Sequence, residues 1–373
     1  MQLIKASRHM IPKVRFQNRD QATFVKELRK RVNNYFKENN ISRNANMHMV
    51  IKTISMFLIY LVPYALVYLN VLSGAWALFL AIFMGFGMAG IGMCVMHDAN
   101  HGAYSSNPKV NKWLGICIYL IGGDVYNWKV QHNILHHTYT NIEGLDGDID
   151  QDPLLRLSTE QKWEKGHKYQ HIYAFFLYTL GTLLWAVVDF IQYRRFTKLG
   201  LSPDGKLDKS KQFRKLVIYK IAYWSFIFVF PMVFSPFLWW QVVLGWFVMN
   251  LVAGFILTVT FQLAHVVEGV SFPVPSDEGK LENEWMIHQL KTTANFAKNS
   301  KFVTWFVGGL NFQIEHHLFP NICHVHYKKI SDIVKATAEE YGIVYNQNKT
   351  YLSAVYSHYK MLKELGVQPV VVK

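Results

Sequence analysis

Residues 97–101 read HDANH, residues 132–137 read HNILHH, and His316-His317 closes QIEHH. His265 stands alone in QLAHVVE. On a helix, residues four apart project from one face, so His97 with His101, and His132 with His136, are ready pairs of metal ligands. A following neighbour points about 100° away, so the adjacent His136 and His137 can serve two ions a few ångströms apart. His316 and His317 repeat that geometry, with Gln313 one turn earlier. These imidazoles are too many for one ion and suit two. Imidazole is a ligand for iron, zinc, copper or nickel. A structural zinc site usually includes Cys, but Cys94, Cys117 and Cys323 are scattered with no CxxC spacing. Two ions in a neutral ligand set beside an apolar interior point to redox chemistry with dioxygen on an apolar substrate. Any one of these histidines alone would read as a solvated or hydrogen-bonded residue; their ordered recurrence is what argues for metal.

The elements that must carry them are set by an apolar chain. Of 373 residues, 51% are hydrophobic, 15% aromatic and 17% charged, against about 25% charged in soluble proteins. Four stretches are long enough for a bilayer core, which takes about 20 helical residues: roughly 50–72, 74–96, 216–235 and 237–263. Ser73-Gly74 separates the first two and Ser235-Pro236 the last two, so each pair reads as a tight hairpin. A fifth stretch, 172–193, is nearly as apolar. Charge settles its place. The segment before residue 50 and the segment 194–215 are both strongly basic, which puts both in the cytoplasm. The first hairpin returns the chain there at residue 97, so 172–193 begins and ends on one side and reads as an interfacial or re-entrant helix. The net charge of +14 thus sits where a polytopic membrane protein places it, which argues against a nucleic-acid partner. The expected fold is all-α, with four transmembrane helices in two hairpins and a cytoplasmic helical cap that holds two metals. A basic leader spans 1–48, the membrane domain 49–330 and a cytoplasmic tail 331–373. All four histidine groups then meet at the cytoplasmic membrane surface.

From about residue 50 to 330 the chain resembles the integral-membrane fatty acid desaturases, whose three histidine boxes match HDANH, HNILHH and QIEHH. HHTYTN at 136–141, WMIHQLKTTAN at 285–295 and HHLFPNICHVHY at 316–327 fit as well. Gln313 at the head of the third box resembles the front-end group, which inserts a double bond between an existing one and the carboxyl end. The resemblance implies two iron ions, dioxygen as co-substrate and a fatty acyl substrate, either acyl-CoA or acyl-lipid. It implies His97, His101, His132, His136, His137, His265, His316 and His317 as iron ligands, with Gln313 as a ninth candidate. One departure stands out. Front-end enzymes commonly carry a fused cytochrome b5 domain marked by His-Pro-Gly-Gly, and these 373 residues contain no such motif. Electrons are therefore expected from a separate carrier, a ferredoxin or cytochrome b5 with its reductase. Gln in the third box also occurs in relatives that act on sphingoid bases.

Asp98, Asn141, Asp150 and Glu315 are candidates for hydrogen-bonding the ligand histidines, as carboxylates near metal sites do. In the run DGDIDQDP (146–153), Asp146, Asp148 and Asp152 could share that role with Asp150. The run lacks the Gly and bidentate Glu that a calcium loop of this type requires. His9, His48, His167, His171 and His358 have no partner at metal spacing and read as surface residues, whereas His288, His324 and His326 read as hydrogen-bonding groups. Gly85, Gly87, Gly90 and Gly92 leave either a close helix contact or room for an acyl chain. Two rivals remain: a di-iron hydroxylase on the same scaffold, and a polyhistidine metal transporter. The transporter would place ionisable groups along its spans, and only Lys52 and Lys220 lie there, both near cytoplasmic ends.

Overall fold

A computed structural model describes residues 14–16, 21–69 and 73–368. Lys5, Arg8, His9, Lys13 and Arg19 of the basic leader, and residues 70–72 of the first apolar stretch, lie outside the described residues. The described chain is mainly helical, with two isolated pairs of parallel two-residue strands. Helix α1 is Ala22–Glu38. Four helices are long and apolar enough to cross a membrane: α2 (Met47–Leu66), α3 (Gly74–Asn100), and, after the histidine-bearing helix α4 (125–139) and helices α5 (Gln170–Thr179) and α6 (Trp185–Lys198), α7 (Lys209–Phe234) and α8 (Trp239–His265). Helices α9 (Trp285–Thr292), α10 (Gln313–Leu318), α11 (Tyr327–Glu340) and α12 (Tyr351–Leu365) complete the set used below.

Caps fix where the spans begin. The Asn46 side chain accepts from Met49 N, and Asp208 accepts from Lys211 N, so α7 starts seven residues ahead of the apolar stretch at 216. At their other ends α3 and α8 run past residues 96 and 263 to include His97 and His265, so both histidines sit on the span helices themselves. The stretch 172–193, expected as one helix, is broken into α5 and α6 by a turn at 180–184. The break lets α5 pack closely on α8: Thr182 Oγ1 donates to Asn250 O at 2.9 Å, and a Cβ on Gly254 would meet Thr179 O at 2.4 Å.

On α2 one face, Met49, Thr53, Met56 and Tyr60, is buried, while Ile51, Ile54 and Leu58 are each 54% exposed. Exposed aliphatic side chains at helical spacing are what a lipid-facing surface requires. The glycines of α3 are filled contacts rather than empty room. A Cβ on Gly87 would lie 2.6 Å from Tyr60 N, one on Gly85 2.7 Å from Met249 O, and one on Gly90 2.1 Å from Met56 Sδ. Close helix packing is therefore the reading that holds. An apolar cavity of about 380 Å³, lined by Tyr64, Leu78, Met84, Trp246 and Met249 among others, opens between the ends of the spans remote from the histidines. Met84 precedes His97 by thirteen residues, about 20 Å along a helix, so this cavity is separate from the site.

A second apolar core holds the helices outside the spans together. Phe24, Leu28, Val32 and Phe36, a strict four-residue stripe on α1, pack with Leu290, Ile314, Tyr327, Ile330 and Val334. Within the stretch 331–373, expected as a tail, most of α11 packs into this core, and α12 packs through Ala354, Leu362 and Leu365 into another with Ala174, Tyr178 and Leu263. Arg156 donates to Leu365 O at 2.7 Å and Gln170 to Leu362 O at 2.8 Å. His358 Nδ1 donates to Val266 O at 2.6 Å while its Nε2 accepts from Tyr178 OH. His167 and His358, expected at the surface, are thus buried, His167 between Glu164 N and Pro153 O. Each satisfies backbone groups that an apolar residue would leave unpaired. His48 is exposed and His171 half-buried.

Candidate metal centre

The histidines converge from four helices: His97 and His101 at the end of α3, His132, His136 and His137 on α4, His265 on α8, and His316 and His317 on α10. His97, His101, His132 and His316 form one group whose ligand atoms lie within 4.8 Å of one another, and His136, His265 and His317 form a second. His137 lies between them: its Nε2 is 3.2 Å from His132 Nε2 and 3.0 Å from His316 Nε2, and its ring stacks on His317 at 4.4 Å. Adjacent histidines part, as the rotation between neighbours requires: His316 and His317 fall in different groups, and His136 belongs to the second group while His137 stands between the two. His132 and His136 remain neighbours, with ligand atoms within 4.8 Å of each other and of Asp148, but His132 also reaches the His97 group. The backbone over 129–136 is a π-helix, as it is over 91–96 just before His97. That wider turn, closed by i→i+5 bonds, lets His132 join the His97 group while stacking on His136 at 5.3 Å.

The free nitrogens decide what such a cluster can hold. His101, His136, His265 and His317 each have a buried Nε2 without a hydrogen-bond partner, as do the Nδ1 atoms of His97 and His137. The Nε2 atoms of His97 and His132 are 3.2 Å apart. Two nitrogens bound at about 2.0–2.1 Å to one metal ion are held roughly 3 Å apart, so these separations fit shared ligation. Burial holds His132, His137, His316 and His317 well below the usual imidazole range, with the neighbouring imidazoles adding to the effect. Neutral imidazole is the metal-binding form. The Gln313 amide is fully buried, and neither its Oε1 nor its Nε2 is hydrogen-bonded. An unpartnered buried amide costs about 1–3 kcal/mol, which a metal or a bound water would relieve.

Outer partners turn the rings. His136 Nδ1 donates to both oxygens of Asp146 at 3.1 Å and lies 3.3 Å from Asp148. Burial opposes a charge on His136, but the two carboxylates outweigh it and raise this imidazole to about 9 in the metal-free chain. His317 Nδ1 donates to Gln289 Oε1 at 2.8 Å, His265 Nδ1 to Thr292 O at 3.4 Å, and His316 Nδ1 bonds the Tyr327 hydroxyl at 3.2 Å. Helix α9 ties the second and third histidine motifs together. Gln289 Nε2 and Trp285 Nε1 donate to His137 O, and His288 Nε2 donates to Thr140 O.

The four residues expected to support the ligands divide. Asn141, held at φ +58°, donates to His265 O, Ser271 O and Thr292 O and so fixes the end of α8. Asp98 accepts from His324 Nδ1 at 2.8 Å, and Lys52 Nζ lies 2.7 Å from His324 Nε2. Asp98, Cys323 and His324 are also close enough to hold an ion, but both His324 ring nitrogens are already engaged, Nδ1 by Asp98 and Nε2 by Lys52. Glu315 faces away from the rings, accepting from Asn295 at 2.7 Å and Tyr345 at 2.9 Å, and burial pushes its carboxyl up to about 7. Asp150 is exposed, and the contacts to His136 are made by Asp146 and Asp148 instead. The loop 146–153 wraps a histidine rather than a cation: Asp146 also accepts from Asn141 N and Asp148 N. Gln289, Thr292 and Tyr327 were not singled out as supports by sequence reasoning. Their only signal was position, within the fitting stretch 285–295 and at the end of 316–327.

Residues 73–349 match the fatty acid desaturase family, and the chain belongs to that family. Its relatives include the sn-1 linoleoyl-lipid 6-desaturase of Arthrospira platensis, 36% identical over 93% of each chain. The sn-1 linoleoyl-lipid 6-desaturase of Synechocystis is 35% identical over 92% of this chain and 95% of its own. An acyl-lipid (8-3)-desaturase of Physcomitrium patens is 35% identical over 92% of this chain and 72% of its own. The protein is thus an oxidoreductase of fatty acid desaturation, with spans fit for a membrane and histidine groups placed to hold metal.

Proposed function

We propose that this chain is an integral-membrane, dioxygen-dependent acyl-lipid desaturase of the front-end type. Two iron ions would be held by His97, His101, His132, His136, His137, His265, His316 and His317, with Gln313 as a further ligand, directly or through water. The supporting observation is the set of buried, unpartnered imidazole nitrogens gathered in two groups, with other ring nitrogens anchored outside. Iron in such a site activates dioxygen for removal of two hydrogens from adjacent methylenes of an acyl chain. The protein's own part is to hold and shield. Asp146, Gln289, Thr292 and Tyr327 fix the ring planes, and burial of nearly every ligand keeps water from the reacting atoms. Gln313 at the head of the third box supports front-end insertion, and the lipid-acting relatives support a chain esterified to a lipid over a CoA thioester.

The basic segments support a topology in which both described ends of the chain, the 194–215 segment and the histidine groups face the cytoplasm, with α2–α3 and α7–α8 as two hairpins. A lipid profile of a host expressing the gene, with linoleate supplied, tests the reaction; the expected product carries a new cis double bond at carbon 6. His101→Ala, His136→Ala and His317→Ala should each abolish that product while the protein stays in the membrane and loses iron. Near-normal product from all three would overturn the di-iron reading. Labelling of Lys206→Cys by an impermeant thiol reagent in intact cells would overturn the topology.

A further inference from the structure

Dioxygen takes four electrons and four protons to become two waters. Removing two hydrogens from the substrate supplies two of each, so two electrons must arrive from a reductant, one at a time, with two protons from water. That requirement rests on the desaturase reading above and raises the question of where the electrons enter.

Tyr327 answers it structurally. Its side chain is buried, its hydroxyl bonds His316 Nδ1 at 3.2 Å, and its backbone continues directly into the exposed pair Lys328-Lys329. Beside it, His326 packs edge-on against Phe36 at 5.3 Å, and the exposed Arg43 guanidinium covers the same Phe36 ring at 5.5 Å. Lys37 is exposed one residue further on. Among the described residues none of these four cations is paired with a carboxylate. The acids nearest in sequence are Glu38, exposed, and Asp332, which is paired with Lys298. Four cations without a carboxylate partner among the described residues therefore lie about the point where one hydrogen bond separates a surface helix from a site histidine.

The 194–215 segment is also basic, but it meets α4 through an apolar contact of Phe196 with Tyr126, Val130 and Leu135. No hydrogen bond joins it to a site histidine among the described residues. We propose that Lys37, Arg43, Lys328 and Lys329 form the docking surface for an acidic one-electron carrier protein, whose electrons pass by way of Tyr327 and His316. Rim charges of this kind act mainly by steering encounter, and their effect fades with salt.

The test uses the full chain in nanodiscs of neutral phosphatidylcholine and an acidic [2Fe–2S] ferredoxin as probe. Ferredoxin affinity is measured directly, with and without iron in the protein. The expected result is that Lys328→Glu with Lys329→Glu weakens binding at least tenfold at low salt, that Arg43→Glu weakens it further, and that the differences vanish near 1 M salt, where the Debye length is about 3 Å. Lys206→Glu with Lys211→Glu should leave binding unchanged. Unaltered affinity in the first set, or a larger loss in the second, overturns the proposal. So does a loss that appears only when anionic lipid is added, which would make the patch a lipid contact. Turnover with a small diffusible reductant separates the two levels. Product there with unaltered ferredoxin affinity sinks the docking surface alone, whereas no product with any reductant sinks the desaturase reading.

Discussion

Replacing Asp146 by Asn changes almost no volume yet attacks the second histidine group at one point. Both Asp146 oxygens face His136 Nδ1 at 3.1 Å; one also accepts from Asp148 N at 3.0 Å and the other from Asn141 N at 2.9 Å. Asn keeps one acceptor and turns the other into an NH2 group, which confronts a backbone N–H whichever way the amide is placed. The lost charge-assisted bond is worth about 1.5–3 kcal/mol and the buried donor clash about 1–3 kcal/mol. Only the first bears on the metal, because it orients His136 and makes its Nε2 a better donor. Removing such a partner typically lowers metal affinity about 10–100-fold, or about 1.4–2.7 kcal/mol at 1.36 kcal/mol per decade, in line with the bond's worth. Iron retained against a graded chelator series, with product measured in parallel, reads the effect. Asp148→Asn is the internal control. Its side chain is 32% exposed and sits 3.3 Å from His136, so solvent screening should keep its effect within about threefold. Full iron retention in Asp146→Asn, or a greater loss in Asp148→Asn, would refute the claim that this carboxylate sets the ring.

Gln289→Leu should lower iron affinity by a similar 10–100-fold, since it strips His317 Nδ1 and Thr140 of their shared acceptor, and Gln289→Glu should be milder; equal iron retention in all three proteins would contradict this. Gly87→Ala should lower the melting temperature and the amount of protein in the membrane, because its Cβ would meet Tyr60 N at 2.6 Å; a normal melting temperature with an altered product chain length would instead mean that an acyl chain lies there. His358 gives a pH signature. Burial lowers its imidazole to about 4 from 6.5, so the unfolded chain binds the extra proton between those values and the stability from neutral His358 is lost as pH falls from 6.5 towards 4. The melting-temperature gap between wild type and His358→Gln should therefore narrow over that range, and a gap that widens would show that the charged form is the bound one.

Much of the site was legible because metal ligation restricts residue type and spacing together. The histidine motifs, the parting of adjacent histidines, and the apolar spans all follow from helical periodicity. What stayed hidden depends on contacts far apart in sequence. Gln289 and Tyr327 look like ordinary polar residues until α9 and α11 bring them to His317 and His316. Asp146 could not be told from Asp150 within one alternating run, because which carboxylate turns inward is decided by a loop closed on Asn141. His167 and His358 were misplaced for the same reason, since each caps backbone groups of a distant segment. The reach of His132 to the His97 group accompanies a π-helical turn, which nothing in HNILHH announces.

Neither histidine group is complete until residues 316 and 317 have been made. The first needs His316 to join His97, His101 and His132, and the second needs both His265 and His317 beside His136. A nascent chain that has already inserted α2 and α3 therefore carries only half-formed coordination shells, whatever iron is at hand. Since a metal site and the fold that forms it are gained together, iron capture on the di-iron reading would fall only after His317 has been made. Until then the early histidines wait as unpaired polar groups at the ends and edges of membrane helices. Iron scarcity would therefore show first as newly made protein that is inserted yet immature, exposed to quality-control proteases before older, loaded copies are affected.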